Sequence, residues 1–215
     1  MYAELMGRSS NLEARRAQVA DALVRLLAAG SFAEISVAEL GREAALAPGL
    51  VHHYFRDKEE VLVVAVERMA IELELRLVEK LRTAGEAGKA RVHAFIDAWL
   101  SAEPGANPRA AFAWVAIGDE ARRRPEVQKL YVAAFDRAVE RLTDEVRHWL
   151  SPLRQRRAGT IARSVMISIE GALRVGAAGG LVPGSAAPLV RGLADALVHE
   201  AASPADLTDP PTRGR

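Results

Sequence analysis

The sequence contains no cysteine, and this absence excludes disulfide bonds, thiolate nucleophiles and zinc sites with thiolate ligands. It also lacks a long apolar run: the best candidate, residues 110–117, is far shorter than the roughly 20 residues that cross a bilayer. The first residues show no basic segment followed by an apolar stretch, as a signal peptide would. We therefore expect a cytoplasmic protein with no membrane partner.

An excess of charge of one sign is missing as well. The 29 Lys and Arg residues nearly balance the 28 Asp and Glu residues, and residues 1–60 hold seven basic against nine acidic side chains. No broad basic field is therefore available to attract nucleic acid non-specifically. Any contact with DNA must come from a local patch, for which the candidates are Arg42, His52, His53, Arg56 and Lys58.

Helix-forming residues dominate what is present. The chain is rich in Ala, Leu, Arg and Glu, its apolar residues recur at spacings of three and four, and no segment alternates over the length of a strand. Clusters of Gly and Pro separate the helical segments. The pattern predicts an all-α fold with a three-helix head and a bundle of about six helices. The predicted helices cover roughly residues 10–29, 36–45, 48–55, 57–83, 89–103, 108–123, 125–150, 156–179 and 186–201.

Local capping signals set the predicted boundaries. Ser10 and Ser36 are each followed three residues later by Glu, the spacing at which both side chains satisfy free N–H groups of a first turn. Pro48 suits the first position of a helix, because its missing N–H would be unbonded there anyway. Asp57 would cap the fourth helix, and Gly30 would end the first.

These signals divide the chain into four predicted parts. Residues 1–9 form a flexible arm, residues 10–56 the head, and residues 57–202 the helical body. Residues 203–215 hold three prolines and few apolar side chains, a composition typical of a disordered tail.

The segment 36–55 has the size of a helix-turn-helix motif, with a tight turn at residues 45–47. Its two helices need apolar contacts that fix the angle between them, and a polar outer face that fits a major groove about 12 Å wide. A helical hairpin with a half-buried end is the alternative that spacing alone leaves open. The apolar contacts are assigned to Val37, Leu40, Ala44, Leu46, Val51 and Phe55, and the outer face to Gly49, Leu50, His52, His53 and Tyr54.

A specific signature lies in residues 43–55, EAALAPGLVHHYF, and residues 58–62, KEEVL. The His-Tyr-Phe ending, followed after one residue by Asp-Lys-Glu, is its most specific part. With residues 20–23, 30–32 and 36–40, this signature makes residues 16–66 resemble the TetR family of bacterial transcriptional regulators. The remainder of the chain resembles that family only in length, helix number and apolar character.

The resemblance implies a sequence-specific regulator that binds double-stranded operator DNA, and the habit of the family favours a repressor over an activator. Phosphate contacts come from the second helix, the end of the recognition helix and the positively polarised start of the fourth helix. The implied DNA-binding residues are Ser36 and Val37 for phosphates, Pro48, Gly49, Leu50 and His52 for base edges, and His53, Tyr54 and Lys58 for phosphates.

Three residues depart from the family pattern. Ala45 occupies a turn position where the family usually has Gly, which costs on the order of 1 kcal/mol if the residue is left-handed. Ala47 replaces a Ser or Thr, so a helix cap and a phosphate contact are lost. His52 replaces a common Tyr. These changes concern the DNA contacts more than the fold.

Bulky apolar side chains concentrate in residues 89–135, although only 5% of the chain is aromatic. Most of them are expected in the core, but the resemblance also implies a cavity for a small, largely apolar effector that releases the repressor. Residues 104–125 would link this cavity to the head. Glu170 either faces the cavity or pairs with Arg174 one turn later. The candidate lining residues are Phe95, Trp99, Trp114, Ile117, Tyr131, Phe135, Met166 and Glu170.

The last two predicted helices suit association, because small residues allow close approach and an apolar stripe follows. The resemblance implies that two such helices from each subunit form a four-helix interface, and a twofold-symmetric operator also requires a homodimer. The candidate interface residues are Ser168, Gly171, Ala172, Gly176, Leu189, Leu193, Ala196 and Leu197.

Two other classes of helical protein are alternatives to a DNA-binding regulator: a di-iron enzyme and an adaptor that has lost DNA binding. A helical di-iron enzyme would need a second Glu-x-x-His pair besides Glu145 and His148, and the sequence has none. No phosphate-binding loop or nucleophile elbow occurs either, so we expect no enzyme, no cofactor and no metal. A helical adaptor that has lost DNA binding remains an alternative, because the head carries net negative charge.

Overall fold

The computed structural model describes residues 2–47, 49–86, 88–100, 108–180 and 183–202. Side chains are described for residues 11–47, 49–86, 88–100, 110–180 and 184–201. This part of the chain is helical, in agreement with the predicted all-α fold. The helices are α1 (Tyr2–Leu27), α2 (Val37–Glu43), α3 (Val51–Tyr54), α4 (Lys58–Thr83), α5 (Lys89–Leu100), α6 (Pro108–Ala121), α7 (Pro125–Trp149), α8 (Ala158–Ala177) and α9 (Pro183–Ala202), with a 3₁₀ helix at Pro152–Arg157.

Three helices begin elsewhere than predicted, and one of them, α9, begins at Pro183 rather than near residue 186. Helix α1 begins at Tyr2 rather than near Ser10, because residues 3–6 are Ala, Glu, Leu and Met, which are good helix formers and let the helix run through the capping signal. Residues 2–9 are thus the first turns of α1, not an irregular arm. Helix α3 begins at Val51, after a turn in which the Leu50 N–H donates to the Ala47 carbonyl at 2.9 Å. Pro48 and the predicted tail, 203–215, lie outside the described residues.

The predicted N-caps at Ser36 and Asp57 are confirmed. Gly30, in contrast, is not the residue that ends the first helix, because α1 ends at Leu27 and Gly30 does not have a positive φ. The Ser36 hydroxyl accepts a hydrogen bond from the Glu39 N–H at 3.1 Å and starts α2. The Asp57 carboxylate accepts from the Glu60 N–H at 2.8 Å and starts α4. Both bonds satisfy donors that have no partner within their own helix.

Side chains of α1 hold the two short helices in place. Gln18 donates to the Ala44 carbonyl at 2.6 Å, and Arg25 donates to the Glu43 carbonyl at 3.1 Å, so the end of α2 is capped from α1. Arg16 donates to the Tyr54 carbonyl at 2.5 Å at the end of α3. Helices of seven and four residues are unstable alone, and these bonds with the apolar core fix them in the head.

The body is built around α8, which packs against α6, α7 and α9. Val165, Met166 and Ile169 on α8 are fully buried at the centre of this bundle. Helix α5 joins α9 through ion pairs from Lys89 and His93 to Asp195, at 2.6 and 2.7 Å. Among the described helices, none combines the length and apolarity needed to cross a membrane.

Candidate DNA-binding surface and effector site

The apolar contacts predicted for the helix-turn-helix are present. Four of these side chains are at most 2% exposed and pack in one core with α1 and α4. They are Leu40 and Ala44, in and directly after α2, and Val51 and Phe55, in and directly after α3. Val37 and Leu46 are partly buried against the same core. At the turn, Ala45 adopts a left-handed conformation with φ of +52°. The strain expected from the sequence is therefore real.

The predicted outer face is exposed over most of its length. Ser36, Gly49, Leu50, His52 and His53 are all exposed, and Leu50 keeps 40% of its surface accessible. Tyr54 is half-buried, and its ring lies edge-on to His53 at 5.1 Å between centroids. We call these five exposed residues, together with the half-buried Tyr54, the recognition face.

Two residues assigned to phosphates are engaged inside the protein instead. Val37 packs against the core and offers little free surface. Lys58 donates from Nζ to the carbonyls of Phe32 and Ile35, at 2.7 Å each, and lies 4.3 Å from the centroid of the Phe32 ring. Two of its three N–H donors are therefore used to close the loop between α1 and α2, which leaves one donor for a phosphate. The sequence pattern does not reveal that Lys58 closes this loop, because Phe32 and Lys58 are far apart in the chain.

Arg16, which was not predicted as important, organises the recognition helix. Besides its bond to the Tyr54 carbonyl, it donates to Glu60 at 2.8 Å and lies over the Phe55 ring at 4.2 Å. Glu60 also accepts from the Arg56 N–H at 2.9 Å. The Arg56 N–H, with the Arg16 guanidinium second, holds the pKa of the Glu60 carboxyl below its ordinary value. Arg16 therefore links α1, α3 and α4 at one point.

In the body, four predicted lining residues come together from four different helices. Trp99 of α5 lies edge-to-face with Trp114 of α6, with 6.1 Å between centroids. Trp114 stacks on Tyr131 of α7 at 4.6 Å and an interplanar angle of 22°. Glu170 of α8 accepts hydrogen bonds from Trp114 Nε1 at 3.0 Å and from the Tyr131 hydroxyl at 2.9 Å. We call these four residues the aromatic–carboxylate cluster.

Glu170 is the only member of this cluster with a carboxyl group, and its surroundings are mostly apolar. Burial raises the pKa of this carboxyl above its ordinary value, against the lowering effect of the bonds from Trp114 and Tyr131. Burial and the neighbouring Glu170 likewise raise the pKa of the Tyr131 hydroxyl. The cluster thus combines the stacked rings of Trp114 and Tyr131 with a carboxyl group, that of Glu170, whose ionisation is made costly by burial.

The alternative pairing of Glu170 with Arg174 is not what the structure shows. Arg174 donates to Asp119 of α6 at 3.1 Å, while both Glu170 oxygens face Trp114 and Tyr131. The other candidate lining residues have core positions. Phe95, Ile117 and Met166 are fully buried, and Phe135 is partly buried against the core.

Helix α6 connects this cluster to the head. At its end, the buried Glu120 bonds to Arg124, whose guanidinium carbon lies 4.6 Å from the centroid of the Phe32 ring. Phe32 is the residue whose carbonyl and ring contact Lys58. Within α6 itself, a Cβ atom on Gly118 would stand 3.2 Å from the Tyr131 hydroxyl. The predicted link through residues 104–125 therefore has a physical path over its described part, from 108 onward.

An exposed face of small and apolar residues runs along α8 and α9. Gly171, Leu189, Leu193 and Ala196 are exposed, and Leu189 has 67% of its surface accessible. The list of predicted interface residues also includes Gly176, which is buried within the protomer because it shares the inner face of α8 with Leu173. Ser168, Ala172 and Leu197 are half-buried.

The residues considered for a di-iron site are engaged in other contacts. Glu145 binds Arg91 in a bidentate pair at 2.6 and 2.7 Å, and His148 Nδ1 contacts the Asp144 carbonyl at 2.7 Å. Over the ranges that the structure covers, no three His, Asp or Glu side chains are grouped so that they could hold a metal ion.

A short recognition helix on a three-helix head, followed by a larger helical body, defines the class of helix-turn-helix regulators. Residues 19–65 match the family described as bacterial regulatory proteins, tetR family, and residues 88–207 match the BetI-type transcriptional repressor C-terminal family. The chain belongs to the TetR family, with a C-terminal domain of the BetI type. Because this is a family of regulators, the chain is not an enzyme.

Individual relatives agree with this assignment. The chain is 31% identical over 118 residues to the transcriptional regulator BetI of Rhizobium meliloti (strain 1021), a match that covers 55% of this chain and 57% of that protein. It is 27% identical over 166 residues to BetI of Burkholderia thailandensis, covering 76% of this chain and 85% of that one. Several of these matches thus span little more than half of the relative.

Solved structures share the fold. A transcriptional regulator from Rhodococcus sp. Rha1 superposes with a TM-score of 0.74 at 19% identity, over 86% of this chain and 96% of that one. A regulator from Saccharomonospora viridis, solved in complex with choline, superposes with a TM-score of 0.71 at 20% identity, over 87% of this chain and 96% of that one. At these identities the comparison establishes the fold alone.

Proposed function

We propose that this protein is a homodimeric transcriptional repressor whose recognition face binds operator DNA. A small organic cation, held in the aromatic–carboxylate cluster, releases it from that operator. The observation that carries the effector part is the placement of the Glu170 carboxylate against the stacked rings of Trp114 and Tyr131. Glu170 is partly buried and makes no ion-pair contact, although the charge of Arg174 acts on it from a distance. Ionisation of such a carboxyl group is costly, and a bound cation would offset part of that cost.

The chemistry of the cluster favours a quaternary ammonium group. Trp and Tyr faces attract cations through the ring quadrupole, and several rings together are the usual way in which proteins recognise quaternary ammonium ligands. Such a group carries methyl substituents, which also suit the apolar surroundings. The effector expected from the sequence, small and largely apolar, becomes in this proposal a small cation with an apolar surface. The choline bound to the Saccharomonospora viridis regulator is a ligand of this class.

The DNA-binding part rests on the recognition face and on the family. Its exposed side chains supply hydrogen-bond donors and acceptors but little net charge, so affinity would depend on two copies of the face acting together in a dimer. Release follows two-state logic: the effector lowers operator affinity only by as much as it prefers the body conformation that misplaces the heads.

The operator part is tested by selecting bound DNA from a random pool and then titrating the selected duplex at several salt concentrations. Tyr54→Phe, which removes one hydroxyl and keeps the packing, should weaken binding to matched and scrambled duplexes alike, as the loss of a phosphate contact does. Tyr131→Phe, the same change in the body, is the control and should leave effector-free DNA binding unchanged. If the wild-type protein selects no sequence, it is a helical adaptor rather than a repressor.

The effector part is tested with choline. Calorimetry should show choline binding to the wild-type protein and a loss of at least tenfold in affinity for Glu170→Gln, because the cation loses its counter-charge. The same choline concentration should release the wild-type protein from the selected duplex and leave Glu170→Gln bound. Equal choline affinities for the two proteins would show that Glu170 does not hold the cation.

A further inference from the structure

Trp99 is a buried side chain with an unused hydrogen-bond donor. It is 7% exposed, and its Nε1 has no hydrogen-bond partner among the residues that the structure describes. No other described side chain that is comparably buried has an orphaned nitrogen or oxygen atom. Since buried polar groups in folded proteins are nearly always paired, this donor calls for an explanation.

The position of Trp99 supplies one. The residue belongs to the aromatic–carboxylate cluster, where its ring lies edge-to-face with Trp114 at 6.1 Å and an interplanar angle of 73°. The indole N–H of Trp114, by contrast, already donates to Glu170 at 3.0 Å. The cluster therefore contains a carboxylate acceptor and, on a neighbouring ring, a donor that has no partner among the described residues. A ligand that satisfies both must carry two different groups.

We propose that Trp99 determines effector specificity by donating a hydrogen bond to an oxygen atom of the effector. This inference rests on the proposed function, because it assumes a cation in the same cluster. The effector class then narrows from quaternary ammonium compounds in general to those with an oxygen acceptor on a short aliphatic link. The link must be short because the rings of Trp99 and Trp114 are neighbours. A hydroxyl group two carbons from the nitrogen, as in choline, meets this requirement.

The same donor discriminates against ligands of the right size that lack the oxygen. An alkyl group placed there would leave the indole N–H buried and unpaired, which costs more than a neutral contact. A site built around a hydrogen bond rejects the analogue without the polar atom much better than an apolar pocket rejects an extra methylene. Trp99 would therefore act as the selective element, while Glu170 and the stacked rings supply the attraction for charge.

The test compares choline with propyltrimethylammonium, in which a methyl group replaces the hydroxyl. Calorimetry on the wild-type protein should give choline an advantage of about tenfold in Kd, the size expected for one buried hydrogen bond. Trp99→Phe, which removes the N–H and keeps an aromatic ring, should reduce choline affinity about tenfold. It should leave the affinity for propyltrimethylammonium within twofold of wild type.

Trp149→Phe is the matched control. Trp149 makes the same kind of edge-to-face contact, with His93 at the end of α7, but it lies outside the cluster, so its replacement should change neither affinity. The comparison of choline with propyltrimethylammonium on the wild-type protein needs no variant. It can therefore contradict the role of Trp99 even if Trp99→Phe is unstable. Equal affinities for both ligands would overturn the role of Trp99 and leave the cation site standing. Binding of neither ligand would overturn both.

Discussion

Ala45 stands at the turn of the helix-turn-helix with φ of +52°, in a region where a Cβ atom meets the adjoining backbone. The residue is exposed and its side chain contributes no core packing that would offset the strain. Ala45→Gly should therefore raise the free energy of unfolding by about 0.5–1 kcal/mol, since the relief of left-handed strain exceeds the extra chain entropy of Gly. Chemical denaturation of both proteins measures this difference.

Ala47→Gly is the control for that change. Ala47 is also exposed but does not have positive φ, so glycine there adds only chain entropy to the unfolded state and should lower stability slightly. A stabilisation at Ala47 equal to that at Ala45 would show that left-handed strain is not the cause.

Glu170 makes a second prediction at the scale of one residue. Because burial raises the pKa of its carboxyl in the folded protein, the native state favours the protonated form. The stabilising effect of that proton is complete below the ordinary carboxyl pKa and disappears as pH rises through the folded-state value. Glu170→Gln, which is neutral throughout, should be more stable than wild type at pH 7 without effector, and this advantage should shrink as pH falls toward 4.

Unfolding curves of both proteins across this pH range provide the measurement. Glu140→Gln, on the exposed surface of α7, is the control and should show no such convergence. A Glu170→Gln protein that is less stable than wild type at pH 7 would mean that the hydrogen bonds from Trp114 and Tyr131 outweigh the cost of the buried charge.

At the scale of elements, α6 is attached at its middle and at its C-terminal end. Trp114 and Asp119 fasten it to Glu170 and Arg174 of α8, and Glu120 holds Arg124 over Phe32 of the head. An open groove of about 880 Å³ lies between the end of α1 and this helix, and we expect α6 to shift toward it when the cluster is occupied. The contact of Arg124 with Phe32 would carry that shift to the loop that Lys58 closes.

Arg124→Gln should therefore uncouple the two sites without disabling either. We expect choline affinity and effector-free operator affinity within about threefold of wild type, but a loss of about tenfold in the effect of choline on DNA binding, which equals about 1.4 kcal/mol of coupling free energy. The quantity to measure is operator Kd with and without saturating choline. Arg123→Gln is the neighbouring control, because Arg123 is 72% exposed and does not stack on Phe32.

The elements also show what local sequence can and cannot predict. The starts of α2 and α4 follow from Ser36 and Asp57, whose capping bonds lie within four residues. The role of Lys58 does not, because its partners Phe32 and Ile35 approach only when α1, α2 and α4 have packed. The same holds for Glu170, where an i, i+4 partner and a distant cluster were equally consistent with the sequence. Local capping signals thus predicted the starts of α2 and α4 but not that of α1, and only tertiary packing decides between competing partners.

At the scale of the whole molecule, the exposed residues of α8 and α9 are where we propose that the homodimer forms. Leu189 and Leu193 are 67% and 38% exposed on a helix whose opposite side is buried in the core. Leu193→Glu should convert a dimer into a monomer by placing a charge in the interface, and operator affinity should fall at least a hundredfold because two half-sites are no longer bound together. Analytical ultracentrifugation and DNA titration follow both effects.

Leu153→Glu is the matched control for the dimer. Leu153 is 86% exposed in the 3₁₀ helix and is not one of the predicted interface residues, so the same substitution should leave the association state unchanged. A wild-type protein that sediments as a monomer at micromolar concentration would contradict the predicted interface. If only Leu153→Glu dissociated the dimer, the interface would lie near the 3₁₀ helix and not on the predicted residues of α8 and α9.

The bonds of Arg16 have a consequence for how the protein emerges from the ribosome. Arg16 is made early, but its partners Tyr54 and Glu60 follow 38 and 44 residues later. A four-residue helix has no stability of its own. We therefore expect α3 to stay unformed until the start of α4 has left the exit tunnel and Arg16 of α1 can bond to both Tyr54 and Glu60. The functional head is thus completed by the first turn of the body, and translation that stops at residue 56 yields a head without a recognition helix.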